Sequence, residues 1–353
     1  MSLLFTPLRQ RSLTFANRLV VSPMCQYSAR DGMPDSWHLV HLGSRAVGGA
    51  GVVFTEAAAV TPEGRISPED TGIWNDAQAA AWAPIAAFIR AQGAVPAMQL
   101  AHAGRKASTF APWRGQGAVA EAAGGWPVVG PSTLAYDASY PQPQALDADG
   151  IASLVSAFRD AALRALQAGF ELVEIHAAHG YLLHQFLSPL SNLRTDGYGG
   201  GFDGRVRLVL EVVEAVRGVW PEALPLWLRL SATDWVDGGW TVEDCVSLSA
   251  LAAARGVDLV DTSSGGLSRD QKITLGPGYQ VPFAARIRRE AKVPTGAVGL
   301  ITTPEQAERI LADGEADVVL LARELLRDPY FPRRAAAVLG ADLPTPAQYL
   351  RAW

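Results

Sequence analysis

Cysteine is nearly absent: the 353 residues hold only Cys25 and Cys245. Two thiols make no disulfide framework, and without a Cys-x-x-Cys pair there is no thiolate cage for zinc or an iron–sulfur cluster. A reducing compartment is therefore expected. No apolar run is long enough to span a bilayer, and the opening Met1-Ser2-Leu3-Leu4-Phe5-Thr6-Pro7 lacks a basic stretch followed by an apolar one, so the expected location is the cytoplasm. Basic blocks are missing too. Lys and Arg total 30 against 35 Asp and Glu, a net charge of -5, which argues against nucleic acid and anionic membranes as partners. There is no short repeat and no linker. What is present is 49% hydrophobic residues, enough to bury a large core in a single domain, 1–353, built for small-molecule chemistry.

Strand-like runs alternate with helical patterns along nearly the whole chain, as in repeated βα units around a parallel sheet. Eight runs stand out: Leu19 to Ser22, Val52 to Ala57, Val95 to Leu100, Leu172 to His176, Leu226 to Ser231, Leu259 to Ser263, Thr295 to Val298 and Val318 to Ala322. That number predicts a closed (β/α)8 TIM barrel. Leu154 to Gln167 and Val206 to Val216 repeat apolar residues at helical spacing, and Gly256 closes a helix from Val242 to Arg255. Thr303-Pro304-Glu305-Gln306 reads as a capping box, with Gly314 stopping the helix it starts.

The densest chemistry lies in Glu174-Ile175-His176-Ala177-Ala178-His179-Gly180-Tyr181. Alternation over Leu172 to His176 puts Glu174 and His176 on one face and Val173 and Ile175 on the other, so the inner face is polar. Gly180 breaks the chain and leaves His179 and Tyr181 on the loop after the strand, where barrel enzymes carry their catalytic groups. One His at a strand end is ordinarily structural; two with a Tyr are less ordinary. Zinc or iron could use the His pair, but catalytic metal sites need a third ligand with carboxylate support, and the local sequence offers only Glu174. No metal is expected.

Other strands also carry polar residues that a barrel core does not want, notably Gln99 and Arg229. A buried Arg229 needs a partner, either Glu56 or Glu174 in an ion pair, or a planar ligand rich in carbonyls or negative charge. After the seventh run comes Thr295-Gly296-Ala297-Val298-Gly299-Leu300, and after the eighth Leu321-Ala322-Arg323-Glu324. Barrels commonly bind phosphate on these two loops through backbone N–H groups, and Arg323 would add a bidentate charge. One segment breaks the rhythm. Residues 101–147 form a long insertion after the third strand, rich in Gly, Pro and Trp, and read as a lid that carries His102, Arg105, Lys106, Trp113, Trp126 and Tyr136 near a pocket mouth.

Ser22-Pro23-Met24-Cys25-Gln26-Tyr27, Gln99-Leu100-Ala101-His102-Ala103-Gly104-Arg105 and His176-Ala177-Ala178-His179-Gly180-Tyr181 through Pro189 closely resemble the old yellow enzyme family. Asn192-Leu193-Arg194-Thr195-Asp196-Gly197-Tyr198-Gly199-Gly200 and the terminal Gln348-Tyr349-Leu350-Arg351-Ala352-Trp353 are similar to its bacterial thermophilic-type branch. The resemblance spans the chain and implies an FMN barrel that takes hydride from NADPH and gives it to the β-carbon of an activated alkene. It implies that Ser22, Pro23, Met24, Cys25 and Ala57 line the flavin, with Cys25 tuning its potential; a buried inert thiol is the plainer alternative. Gln99 and Arg229 would hold its pyrimidine side, and Gly299, Ala322 and Arg323 its phosphate. His176 and His179 would bind the substrate's carbonyl or nitro oxygen, Tyr181 would donate the proton, and Tyr27 would flank the substrate.

Two departures from the family pattern stand out. Ala322 occupies a position where the family usually has Gly, and the Gly124-Gly125-Trp126-Pro127 region belongs to a variable lid of the kind that sets specificity. The tail, 345–353, implies self-association as a homodimer or homotetramer, with Arg351 reaching a neighbour's substrate site. The expected function is thus an NADPH-dependent ene-reductase acting by ping-pong on α,β-unsaturated ketones, aldehydes, imides or nitro compounds. Two rivals are a metal-dependent barrel hydrolase and a flavin-binding module without turnover, which would have no use for Tyr181.

Overall fold

A computed structural model describes residues 2–352; Met1, and Trp353 of the tail motif, lie outside the described residues. The chain opens with a hairpin of β1 (Leu8–Gln10) and β2 (Leu13–Phe15), followed by β3 (Leu19–Val21), α1 (Ser36–Val47), β4 (Val52–Ala59), α2 (Asp76–Ala91) and β5 (Val95–Ala101). A small parallel ladder of β6 (Val129–Gly130) and β7 (Gln144–Ala145) sits in the long connection that precedes α3 (Ala148–Gln167). Then come β8 (Leu172–Ala177), α4 (Leu182–Leu187), α5 (Phe202–Arg217), β9 (Leu226–Ser231), α6 (Val242–Ala253) and β10 (Leu259–Ser263). The chain continues through α7 (Val281–Ala291), β11 (Thr295–Ala297), α8 (Pro304–Ala312), β12 (Val318–Leu321), α9 (Arg323–Arg327) and α10 (Phe331–Val338).

Strands β3, β4, β5, β8, β9, β10, β11 and β12 close into a parallel barrel, the expected (β/α)8 architecture. Strand alternation sorts each residue into one of two environments. Val173 and Ile175 of β8, with Leu228 and Leu230 of β9, face outward and join the apolar layer beneath the helices. Leu172 and Trp227 face inward, where they pack with Val20, Val52, Phe54, Val95, Leu259 and Leu320. The opening hairpin stops the barrel's N-terminal end: Phe15 meets Trp227 edge-on at 6.0 Å, and Gln10 Oε1 accepts the Trp227 indole N–H at 2.8 Å. Burying a side chain of Phe size contributes about 1.5–3 kcal/mol. Farther along the same inward rows the lining turns polar, with Gln99, Glu174, Arg229 and Asp261 all buried.

Helix starts differ in detail from the sequence reading. Thr303 does cap α8, accepting from Gln306 N at 3.2 Å, but Gln306 reaches back to the N–H of Thr302 instead of Thr303, so the box is displaced by one residue. Reciprocal boxes occur instead at Asp35 with His38 and at Asn75 with Gln78. Asp147 caps α3 and marks where the long connection ends, several residues before the apolar period becomes clear at Leu154.

The 102–147 connection lies against the barrel's C-terminal end. Trp113 meets Tyr27 edge-on at 5.5 Å, Arg65 stacks 4.7 Å over Trp126, and Arg269 pairs with Asp137 at 2.8 Å. Arg105 donates to the carbonyl of Leu267 at 3.0 Å. These contacts tie the segment to loops after β3, β4 and β10.

Candidate active site

Parallel register assembles the polar layer. Arg229 on β9 stands opposite His176 on one side and Asp261 on the other, and Glu174 stands opposite Gln99. Arg229 pairs with Asp261 at 2.9 Å and donates to Ser22 Oγ at 3.2 Å. Its partner is therefore neither Glu56 nor Glu174. Register places Glu174 opposite Trp227, and Glu56 is already occupied by His38 Nε2 and by the N–H of Gln26, both at 3.0 Å. Asp261 could have been found by the same signal as Arg229, a charge inside an apolar run. Gln99 donates to Glu174 Oε1 at 2.8 Å, but Glu174 Oε2 is buried without a hydrogen-bond partner among the described residues. Burial, then repulsion from Asp261, pushes the Glu174 carboxyl well above the usual range.

His176 ends the same row on β8, with His179 and Tyr181 on the loop beyond it. The His176 ring meets both neighbours edge-on, each at 5.1 Å. Burial, followed by the positive charge of Arg229, drives both imidazoles well below their ordinary range, so both are neutral at physiological pH. The Tyr181 phenol is pushed well above its ordinary range, chiefly by burial, and keeps its proton. His179 adopts a left-handed backbone, φ 59°, which a non-glycine residue holds only when its surroundings enforce it. Its N–H donates to Ser231 Oγ at 2.9 Å, and its Nε2 lies 2.7 Å from Ser263 Oγ. Lys106 donates to the carbonyls of His179 and Gly266 at 2.8 and 2.9 Å and sits 5.2 Å over the Tyr181 ring. The sequence reading puts Lys106 only at a pocket mouth and gives Ser231 and Ser263 no role. Among the described residues no group of three or more His, Cys, Asp or Glu is arranged to hold a metal ion.

Pro23, Met24, Cys25 and Tyr27 follow β3. Tyr27 is also left-handed, φ 50°. Cys25 is half-buried, yet desolvation first, then Asp70 and Glu56, push its thiol well above the ordinary value, so it carries a proton at neutral pH. That suits a tuning or packing role better than a nucleophile. Ala57, Asp70, Ala101 and Tyr181 line one small pocket beside it.

Asp70 gives this side of the site a pH signature. It is 2% exposed, and burial followed by Glu56 lifts its carboxyl from 3.8 to about 7. Between those values the folded chain holds a proton that the unfolded chain has released, so the group's effect is for stability to fall as pH rises through that window. Asp70→Asn removes this titration. Relative to wild type, the variant should gain up to about 4 kcal/mol between pH 4 and 7, measured by urea unfolding at several pH values. A wild-type-minus-variant difference that stays constant with pH would contradict the assignment.

On the opposite side lies an open cleft lined by Arg229, Ser263, Gly299, Ala322 and Arg323 among others. Gly299 is at φ +124, and a Cβ there would come within 2.9 Å of Gln280 Nε2, so the turn requires glycine. Ala322 immediately precedes α9, whose first N–H groups have no partner within the helix. Arg229 and Arg323 both line this cleft, which gives it the positive charge suited to a planar, carbonyl-rich or phosphorylated ligand. Ser22 joins it through Arg229, whereas Gln99 is reached through the Glu174 contact. Arg351 is not brought to these residues. Residues 343–346 line a pocket with 16–17, 49–50 and 91–93, the turns entering β3, β4 and β5 at the barrel's opposite end, and Arg351 beyond them is exposed.

Residues 3–341 match the NADH:flavin oxidoreductase / NADH oxidase family. The chain is 46% identical to an NADPH dehydrogenase of Geobacillus thermodenitrificans (strain NG80-2), over 100% of this chain and 99% of the relative. Among solved structures it is similar to morphinone reductase in complex with tetrahydroNAD, at 30% identity and TM-score 0.79, covering 97% of this chain and 92% of that one. It is also similar to an old yellow enzyme homologue from Zymomonas mobilis, at 28% identity and TM-score 0.78, covering 97% and 94%.

Proposed function

The chain belongs to the NADH:flavin oxidoreductase / NADH oxidase family, and from that membership we propose that it is an ene-reductase. It is an oxidoreductase that uses FMN and NADPH. The finer reading is ping-pong reduction of α,β-unsaturated ketones, aldehydes, imides or nitro compounds. Ser263 supports this reading: it lines the cleft and its Oγ lies 2.7 Å from His179 Nε2, so the cleft and the His–His–Tyr cluster adjoin.

When bound, FMN supplies the redox chemistry, accepting hydride from NADPH and passing it to the alkene's β-carbon. Ser22, Pro23, Met24, Cys25 and Ala57 would lie along its rings, Gln99 and Arg229 at the pyrimidine side, and Gly299, Ala322 and Arg323 at the phosphate. His176 and His179 are neutral, so each has one N–H to give to the substrate's carbonyl or nitro oxygen as charge builds there. Tyr181 holds its proton at Oη until negative charge reaches the α-carbon. Tyr27, with Trp113 of the lid against it, would bound the substrate's far side. The test is product analysis: 2-cyclohexenone and NADPH carrying deuterium in the transferred position should give cyclohexanone labelled at the β-carbon. NADPH consumption with no saturated product would leave a flavin oxidoreductase and remove the ene-reductase.

The proposal extends to assembly as a homodimer or homotetramer. Tyr349 and Leu350 are 38% and 63% exposed, an apolar tail beside Arg351 that suits an interface. Tyr181→Phe and Arg351→Ala subunits should each be impaired as homo-oligomers, yet verified mixed oligomers should recover activity, because one subunit's Arg351 then meets the other's Tyr181. No recovery would rule out a shared site.

A further inference from the structure

Gly180 separates the imidazole of His179 from the phenol of Tyr181, and its placement is tightly controlled. Its φ is +73, and a Cβ would fall 2.2 Å from the carbonyl oxygen of Gly266. Its N–H donates to His184 Nδ1 at 2.9 Å. His184 Nε2 lies 2.9 Å from Asp234 Oδ1, an electrostatic contact more than an aligned hydrogen bond. Both side chains are fully buried. The other carboxylate oxygen, Oδ2, accepts from Ser188 Oγ at 2.6 Å and from Trp240 N at 2.8 Å.

We propose that Asp234 and His184 are positioning residues for the reaction at His176, His179 and Tyr181, acting together to hold Gly180. The inference rests on the ene-reductase reading. A ring nitrogen facing a carboxylate must carry hydrogen, since a bare lone pair there would be repelled. Asp234 therefore keeps the His184 proton on Nε2. Nδ1 is left as an acceptor, and only in that tautomer can it receive the Gly180 N–H. The backbone between the oxygen-binding imidazole and the proton-donating phenol is thereby fixed by a carboxylate that touches neither.

Asp234→Asn tests the tautomer directly. Two donors converge on Oδ2, so the amide oxygen must occupy that place and the NH2 group must face His184 Nε2. The ring must then accept at Nε2 and carry its proton on Nδ1, donor against the Gly180 donor. We expect alkene reduction and phenol binding to weaken about tenfold or more, with FMN affinity and flavin reduction by NADPH unchanged. Nitrogen-15 NMR of histidine-labelled holoprotein should show the His184 shifts exchanging between the two ring nitrogens, which a merely structural substitution would not produce. A second pair guards against misfolding. His184→Asn keeps an acceptor near Nδ1 and should retain much of the activity, whereas His184→Gln keeps only a donor toward Asp234 and should lose it. Equal defects in these two, or an unchanged tautomer in Asp234→Asn, would overturn the proposal. The NMR signature does not depend on which alkene is reduced, so a wild-type protein that saturates no alkene would defeat the functional reading while the tautomer still decides the relay.

Discussion

Tyr181→Phe is expected to slow alkene reduction by roughly 10²- to 10⁴-fold while flavin reduction by NADPH stays close to wild type. The substitution removes one hydroxyl and little else. Tyr181 packs by its ring against His176 at 5.1 Å and beneath Lys106 at 5.2 Å, contacts that phenylalanine can keep. Burial, with smaller contributions from Cys25, Tyr27, Asp70 and Tyr140, holds the phenol protonated. A proton donor is needed only when hydride reaches the alkene, so the two half-reactions should separate in stopped-flow traces. Equal slowing of both would show that Tyr181 supports the site's structure and does not donate the proton.

His176→Ala is expected to cost roughly 10²- to 10³-fold in substrate reduction and to weaken a phenol ligand, whose phenolate oxygen takes the place of the substrate oxygen. His176 sits at the junction of three groups: it contacts both His179 and Tyr181, and it stands opposite Arg229 across the β8–β9 register. Burial and Arg229 keep it neutral, so in the proposed role it would bind the oxygen by donating a hydrogen bond, without positive charge. His176→Asn, which restores a donor, should recover part of the loss. His179→Ala should weaken the same ligand, and it also removes the contact with Ser263. Phenol titrations of the four proteins are the check, and unchanged affinity in both alanine variants would refute the assignment.

The barrel was legible because its strands are bounded by turn residues and separated by helices of ordinary length; every one of the eight predicted strands is present, each to within two residues. The polar floor was legible for the same reason. Gln99 and Arg229 stood out against apolar neighbours, and alternation put Glu174 and His176 on the inner face. Pairing was not legible, since it depends on which strands become neighbours and in what register, and so Asp261 escaped notice as the partner of Arg229. The capping boxes at Asp35 and Asn75 were missed because His38 and Gln78 were not read as the reciprocal partners. His184 and Asp234 lie 50 residues apart in sequence, and only the closed barrel brings them together beneath Gly180. Nothing in the tail's composition says where Arg351 ends up, because within one chain it stays away from the cleft.

A single proposed site, holding FMN between the Arg229–Arg323 cleft and the His176–His179–Tyr181 cluster and moving hydride from NADPH to an alkene, would have an optical signature. An anaerobic absorbance spectrum of the purified protein tests this most directly. Flavin bands should bleach on adding one equivalent of NADPH and return on adding 2-cyclohexenone. A colourless protein that binds no added FMN, or a bleached flavin that no activated alkene restores, would contradict it.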